Sequence, residues 1–224
     1  MRPVEKGNIP QMNGIDIVFA EYTEAREFLI QRVGDFCSYC ENQITNLAVE
    51  HIQPKARHPH LRLEWTNFLL ACTNCNSIKN QQQDDNIDYY WADTHNTSLL
   101  FEFHPHGALS LSSNLHNSIN HQTAQDTMLL TGLNRFGTAA SYADRRWIKR
   151  AEAWSKANDT FLRFYINNNR PQDYIPSIVA AATSHGFWSV WIKVFFNEQA
   201  VKTALINAFN GTFANFETTD IDRN

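Results

Sequence analysis

Nowhere does the chain approach the roughly 18 uninterrupted apolar residues that a membrane-spanning helix needs. Its most apolar window, Phe187 to Phe196, is about half that length and is interrupted by Ser189 and Lys193, which excludes a helical span. The opening MRPVEKGNIP likewise lacks the apolar run of a secretory signal. The N-x-[ST] triplets at Asn96, Asn158 and Asn210 therefore have no glycosylation context, and the cytoplasm is the expected compartment. Positive charge is also short: 19 Lys and Arg face 23 Asp and Glu, a net charge of -4. That is the wrong sign for holding nucleic acid by bulk electrostatics alone. There is no internal repeat, and QQQDD at 81–85 is too short to count as low complexity. Apolar material is plentiful, with 43% hydrophobic and 12% aromatic residues, so the chain has surface enough to bury a core. At 224 residues, one domain plus a smaller module is the starting expectation.

Cysteine occurs only as two pairs, Cys37-Ser38-Tyr39-Cys40 and Cys72-Thr73-Asn74-Cys75, separated by 31 residues. In a reducing compartment disulfides are disfavoured, whereas two C-x-x-C knuckles supply four thiolates to a tetrahedral Zn²⁺. The gap exceeds that of a simple ribbon, so a further element is inserted between the knuckles. A thiol oxidoreductase needs only one such pair. Charge is unevenly spread as well. Residues 1–93 hold eight basic residues against thirteen acids, while Arg135 to Arg170 holds eight (Arg135, Arg145, Arg146, Lys149, Arg150, Lys156, Arg163, Arg170) against three. That second segment is expected to supply any polyanion contact, an ordinary solvated helix face being the alternative.

Hydrophobic patterning predicts a helix over Glu21 to Val33 with Thr23 as N-cap, short strands at Leu47 to Val49 and Phe68 to Ala71, and a helix over Asn76 to Gln83. The zinc insert thus reads β-β-α. A hairpin is predicted from Leu99 to Phe103 and Leu109 to Leu111, turning at Pro105-His106-Gly107. Helices follow at Thr123 to Leu133, Ala143 to Asn167, Pro176 to His185 and Phe187 to Phe209, the last broken near Asn197.

Within the insert, Glu50-His51-Ile52-Gln53-Pro54 places a carboxylate beside an imidazole at a strand end; Asn67 follows, then Asn76 and Lys79 after the last cysteine. These residues resemble the HNH endonucleases, whose ββα-metal module reads [DE]-H-[IV]-x-P, then Asn, then C-x-x-C-[NH]-x-x-K. Every element has a counterpart here, although the pattern often carries Asp at the position of Glu50. MRP-x-x-KG, FCSYCE, AVEHIQPK and WTNFLLACTNCNSIK are further similar to the HNH subunit of Septu-type and retron-associated antiphage systems, over roughly residues 1–110.

The resemblance implies an α+β fold: a zinc-stapled ββα-metal HNH module at 1–95, and a hairpin plus mainly helical domain at 96–224 that binds a partner or substrate. It implies cleavage of nucleic acid, DNA ahead of RNA, in antiviral defence beside an ABC/SMC-type ATPase. His51 becomes the general base, since an imidazole with an ordinary pKa near 6.5 suits activation of water. Glu50 and Asn76 become oxygen ligands of a catalytic Mg²⁺ or Mn²⁺. Asn67 is expected to hydrogen-bond the base histidine, and Lys79 to contact phosphate. Cys37, Cys40, Cys72 and Cys75 hold the structural zinc. Asn80 is the reserve ligand, Trp65 a core aromatic beside the zinc, and His58 and His60 loop residues. His104, His106, His116 and His121 lack metal spacing. Neighbours on a regular strand point to opposite faces, so Glu50 and His51 converge only where the strand is distorted. The rival reading is a non-catalytic zinc-ribbon adaptor, which needs the cysteines alone.

Overall fold

A computed structural model of the chain describes residues 1–80, 82–137, 144–166 and 171–223. Among the described residues the architecture is α+β, with three two-stranded antiparallel sheets and a helical second half. Asn13 and Gly14 both take positive φ (54° and 79°), turning β1 (Gln11–Met12) into β2 (Ile15–Asp16). Hydrophobic patterning misses this exposed hairpin, although Asn-Gly is a strong turn signal.

The predicted first helix divides into a 3₁₀ turn at Tyr22–Glu24 and α1 (Ala25–Val33), and Thr23 makes no capping bond. Helix α1 packs on the central hairpin, β3 (Ala48–His51) against β4 (Phe68–Ala71), in the register Glu50 to Leu69 and His51 to Phe68. Both strands lie within two residues of their predicted ends. Helix α2 (Thr73–Lys79) begins three residues earlier than patterning predicts, because Cys72 Sγ accepts the Cys75 N–H and caps it. It ends at Lys79, where Asn80 turns to a φ of 35°; Gln81, inside the predicted helix, lies outside the described residues. β3, β4 and α2 form the ββα unit.

Downstream, β5 (Phe101–Phe103) pairs with β6 (Leu109–Leu111) through the predicted turn. At Gly107, with φ of 80°, a Cβ would lie 1.9 Å from the Trp147 carbonyl, so a side chain is excluded there. Helix α3 (His121–Thr131) stops at left-handed Gly132 and packs on α2. Helices α4 (Arg146–Ile166) and α5 (Pro171–His185) follow; Ala143 and Asn167, the predicted ends of α4, lie outside the described residues. α5 starts five residues before its predicted start and runs through Pro176, which forfeits one helical bond. The predicted break near Asn197 separates α6 (Trp188–Val194) from α7 (Gln199–Ala208). Among the described residues no helix is long and apolar enough to cross a membrane.

The buried side chains on either side of residue 95 belong to one hydrophobic cluster. Polar staples reinforce it. Arg2 donates to the carbonyls of Val33, Phe209 and Asn210. Lys6 Nζ reaches the carbonyls of Thr66 (2.9 Å) and Phe68 (2.8 Å) and lies 2.6 Å from Asp93. The basic residues of the MRPVEKG string are therefore internal ties. Glu41, next after the first knuckle, accepts from both the amide (2.7 Å) and hydroxyl (2.6 Å) of Ser189 at the start of α6, and its own carbonyl accepts from Phe187 N.

Candidate active site

The four cysteine sulfurs are buried and lie within 4.8 Å of one another. Cys40 Sγ and Cys72 Sγ are 3.7 Å apart, close to the ~3.8 Å that a tetrahedron of ~2.3 Å Zn–S bonds demands. The donor set and spacing suit a structural zinc with no open position. Hydrogen bonds from the neighbouring sulfurs hold Cys72 well below the usual thiol range, while the shared protons push Cys40 up and burial pushes Cys75 up. Binding a metal there would displace the protons that the sulfurs share.

One sulfur has a cation against it. Arg146 Nη1 donates to Cys75 Sγ at 3.1 Å, and the same guanidinium bonds the carbonyls of Thr131 and Gly132 and the Asp144 carboxylate. One turn on, buried Arg150 donates to the carbonyls of Gly107 (2.8 Å) and Leu133 (3.1 Å), and burial lowers its pKa to about 10. Two residues of the basic segment are therefore internal and outside any polyanion contact. Arg146 and Arg150 face inward, Lys149 pairs with Glu152 and Arg163 with Asp159. Arg135, Arg145 and Lys156 are exposed, and Arg170 lies outside the described residues. The amphipathic period of α4 turns the two arginines toward the core, where Asp144 and the Cys75 sulfur face Arg146 and backbone carbonyls face Arg150.

Beyond the zinc cluster, an open cleft of about 180 Å³ is lined by Tyr22, Glu50, His51, Lys55, Asn76 and Asn80, with Val49, Pro54 and Ala56. Consecutive strand residues reach it because it wraps the end of β3: Glu50 approaches from the α2 side, His51 from the Tyr22 side. The His51 ring stands edge-on to Tyr22 (4.8 Å) and Phe68 (5.3 Å). Its Nε2 lies 2.9 Å from the Arg62 carbonyl, an obligate acceptor, so Nε2 carries the proton and Nδ1 is left as a base. Burial lowers the His51 pKa below its ordinary value, which keeps the ring neutral.

Two roles expected from the resemblance change here. Asn67 does not hold His51; its Oδ1 accepts from Gln53 N (2.7 Å), and its Nδ2 donates to the carbonyls of Gln53 (3.0 Å) and Leu61 (3.2 Å). One amide thus ties the start of the loop at Gln53 to Leu61, the residue before the Arg62 carbonyl. Lys79 is wholly buried and cannot reach phosphate. Its Nζ sits 2.9 Å from Glu50 Oε1 and 2.8 Å from the His51 carbonyl, because the last turn of α2 faces the hairpin and not solvent. Burial pushes the Glu50 pKa up and that of Lys79 down, each opposed by the other's charge.

The remaining candidates separate cleanly. Asn76 and Asn80 both border the cleft. His58 lies 3.2 Å from Asp85 and outside the cleft lining. Trp65 is a core residue stacked near Phe19, its Nε1 donating to the Gly7 carbonyl. Patterning gave no role to Tyr22, Lys55 or Arg62. Lys55 closes the AVEHIQPK string, whereas Arg62 acts through its backbone, which leaves no side-chain signal to read.

Residues 37–82 match the family described as HNH endonuclease, a family of phosphodiester hydrolases. The match spans both cysteine pairs, β3, β4 and α2. No curated protein matches the chain.

Proposed function

We propose that the chain is a metal-dependent endonuclease that hydrolyses phosphodiester bonds of nucleic acid at the cleft around His51. The observation that carries this is the convergence of Glu50, a neutral His51 with Nδ1 free, and Asn76 on one open cleft behind a separate four-thiolate site. An adaptor needs only the last of these.

His51 Nδ1 takes the proton of the attacking water while the Arg62 carbonyl holds the ring in that tautomer. Asn67 keeps the carbonyl in place through the loop, and Lys79 orients Glu50 while tying the strand end to α2. Glu50 and Asn76 are the oxygen donors that would hold a Mg²⁺ or Mn²⁺; hard oxygen ligands beside an open space fit such an ion. A bound divalent cation offsets the charge that grows on the phosphate and leaving oxygen.

The finer reading rests on the likeness of MRP-x-x-KG, AVEHIQPK and WTNFLLACTNCNSIK to the nuclease subunits of Septu-type and retron-associated systems. On it, the protein is an antiphage effector, cuts DNA ahead of RNA, and is held by an ABC/SMC-type ATPase. Residues 1–95 act as the nuclease module and 96–224 as the partner-binding part. The acidic balance of residues 1–93 supports a need for added phosphate affinity from a partner.

The test is cleavage of plasmid, single-stranded DNA and RNA with Mg²⁺ or Mn²⁺, with and without the co-expressed ATPase, beside His51→Ala. Cleavage by the parent and none by the variant is expected. Equal cleavage by both overturns the assignment of the base, and no cleavage of any substrate with either metal and the partner present leaves the adaptor in its place.

A further inference from the structure

With Lys79 sealed against Glu50, the cleft needs another cation for its substrate. The neighbouring ones are engaged: Arg57 pairs with Asp85 and Arg62 with Glu21. Lys55 is exposed, lines the cleft beside Glu50 and His51, and stands in no ion pair among the described residues. Its ammonium lies 4.0 Å from the centroid of the Tyr22 ring, and the same ring meets His51 edge-on at 4.8 Å. Tyr22 comes from the 3₁₀ turn before α1 and Lys55 from the loop after β3, so two distant segments meet at this point.

We infer that Lys55 is the phosphate-binding cation of the cleft and that Tyr22 positions it. The inference rests on reading the cleft as a nucleic-acid site and assigns the contact to a side chain that the sequence pattern left without a role. A cation held over an aromatic face keeps most of its positive charge exposed on the far side while losing conformational freedom. A phosphate seated beside His51 therefore meets an ammonium already in place. Because the contact is made to a charge present before and during the reaction, it acts on substrate binding more than on the chemical step. The neighbouring walls are acidic or neutral, so Lys55 carries a larger share of the local attraction than one lysine in a basic groove would.

The test measures binding and is independent of turnover. Full-length protein carrying His51→Ala is titrated with short fluorescein-labelled single-stranded and duplex DNA and RNA at several salt concentrations, from low ionic strength upward. Adding Lys55→Met is expected to weaken binding roughly three- to tenfold and to flatten the salt dependence by about one phosphate contact. Lys55→Arg should stay near the parent. Tyr22→Leu should weaken binding in the same direction, and Tyr22→Phe, which keeps the ring, should not. Unchanged affinity and unchanged salt slope in Lys55→Met overturn the inference, as does the absence of parent binding at low ionic strength. Failure of the nuclease reading appears elsewhere: a His51-intact protein that binds through Lys55 yet cuts nothing with Mg²⁺ or Mn²⁺ and the co-expressed ATPase present leaves the phosphate site standing and removes the enzyme.

Discussion

Arg146, on the first turn of α4, points its Nη1 at the sulfur of Cys75 from 3.1 Å. Four thiolates around one Zn²⁺ carry a net charge of about -2 in a buried site, and this guanidinium offsets part of it. The zinc cluster and the helical half are thus one electrostatic unit.

Replacing Arg146 with Met leaves Asp144 buried without its partner and Cys75 without a donor. A loss of about 3–5 kcal/mol is expected from breaking a buried pair. Thermal unfolding should show it, and competition with a chromophoric chelator should show faster zinc release. Lys at 146 should not restore either property, because a point charge cannot reproduce the fork of bonds to Asp144, Thr131 and Gly132.

Metal analysis of protein purified without added zinc should return about one equivalent, as a closed four-thiolate site implies. Cys72→Ser removes a ligand and also the sulfur that caps α2. Near-ultraviolet dichroism and proteolysis should report disorder spreading from α2. An unaltered melting curve after zinc removal would sink the structural role.

His51→Ala should cut cleavage by about 10² to 10⁴, the usual worth of a general base, while zinc content stays at the parent value. Asn67→Ala should also slow cleavage, but by loosening the loop between Gln53 and Leu61. Faster proteolysis between those residues should accompany the loss in the second variant and not in the first.

Lys79→Met distinguishes a buried tie from a phosphate contact. It strands Glu50 in a desolvated place and should lower the melting temperature, with Lys79→Met/Glu50→Gln recovering much of the loss. The salt dependence of nucleic-acid binding should stay at the parent slope. A flattened slope would return Lys79 to the surface of the cleft.

The sequence discloses the ββα unit well because its signals are local: two cysteine pairs, two short apolar runs and a proline stop. It discloses the residue types of the cleft for the same reason. What it hides is direction. Lys79 sits one helical turn from Asn76, and only the packing of α2 on β3 decides that one faces the cleft while the other is sealed. Arg146 and Arg150 read as part of a basic stretch until α4 turns them inward. The tautomer of His51 depends on a backbone carbonyl, which has no sequence identity at all. The ends of α2 and α5 moved because a sulfur acts as a cap and a proline is tolerated within a helix, effects outside hydrophobic period.

Glu41 sits one residue past Cys40, and its carboxylate and carbonyl hold the start of α6 through Ser189 and Phe187. A zinc held by the knuckle would therefore steady the seat of α6 as well as the ββα unit. A chain made without zinc is then expected to seat α6 less firmly, with Trp188 and Trp191, both buried in the finished protein, more open to proteases. The standing amount of the protein should then follow the zinc supply during its synthesis, a form of control that acts on abundance before any substrate or partner is met.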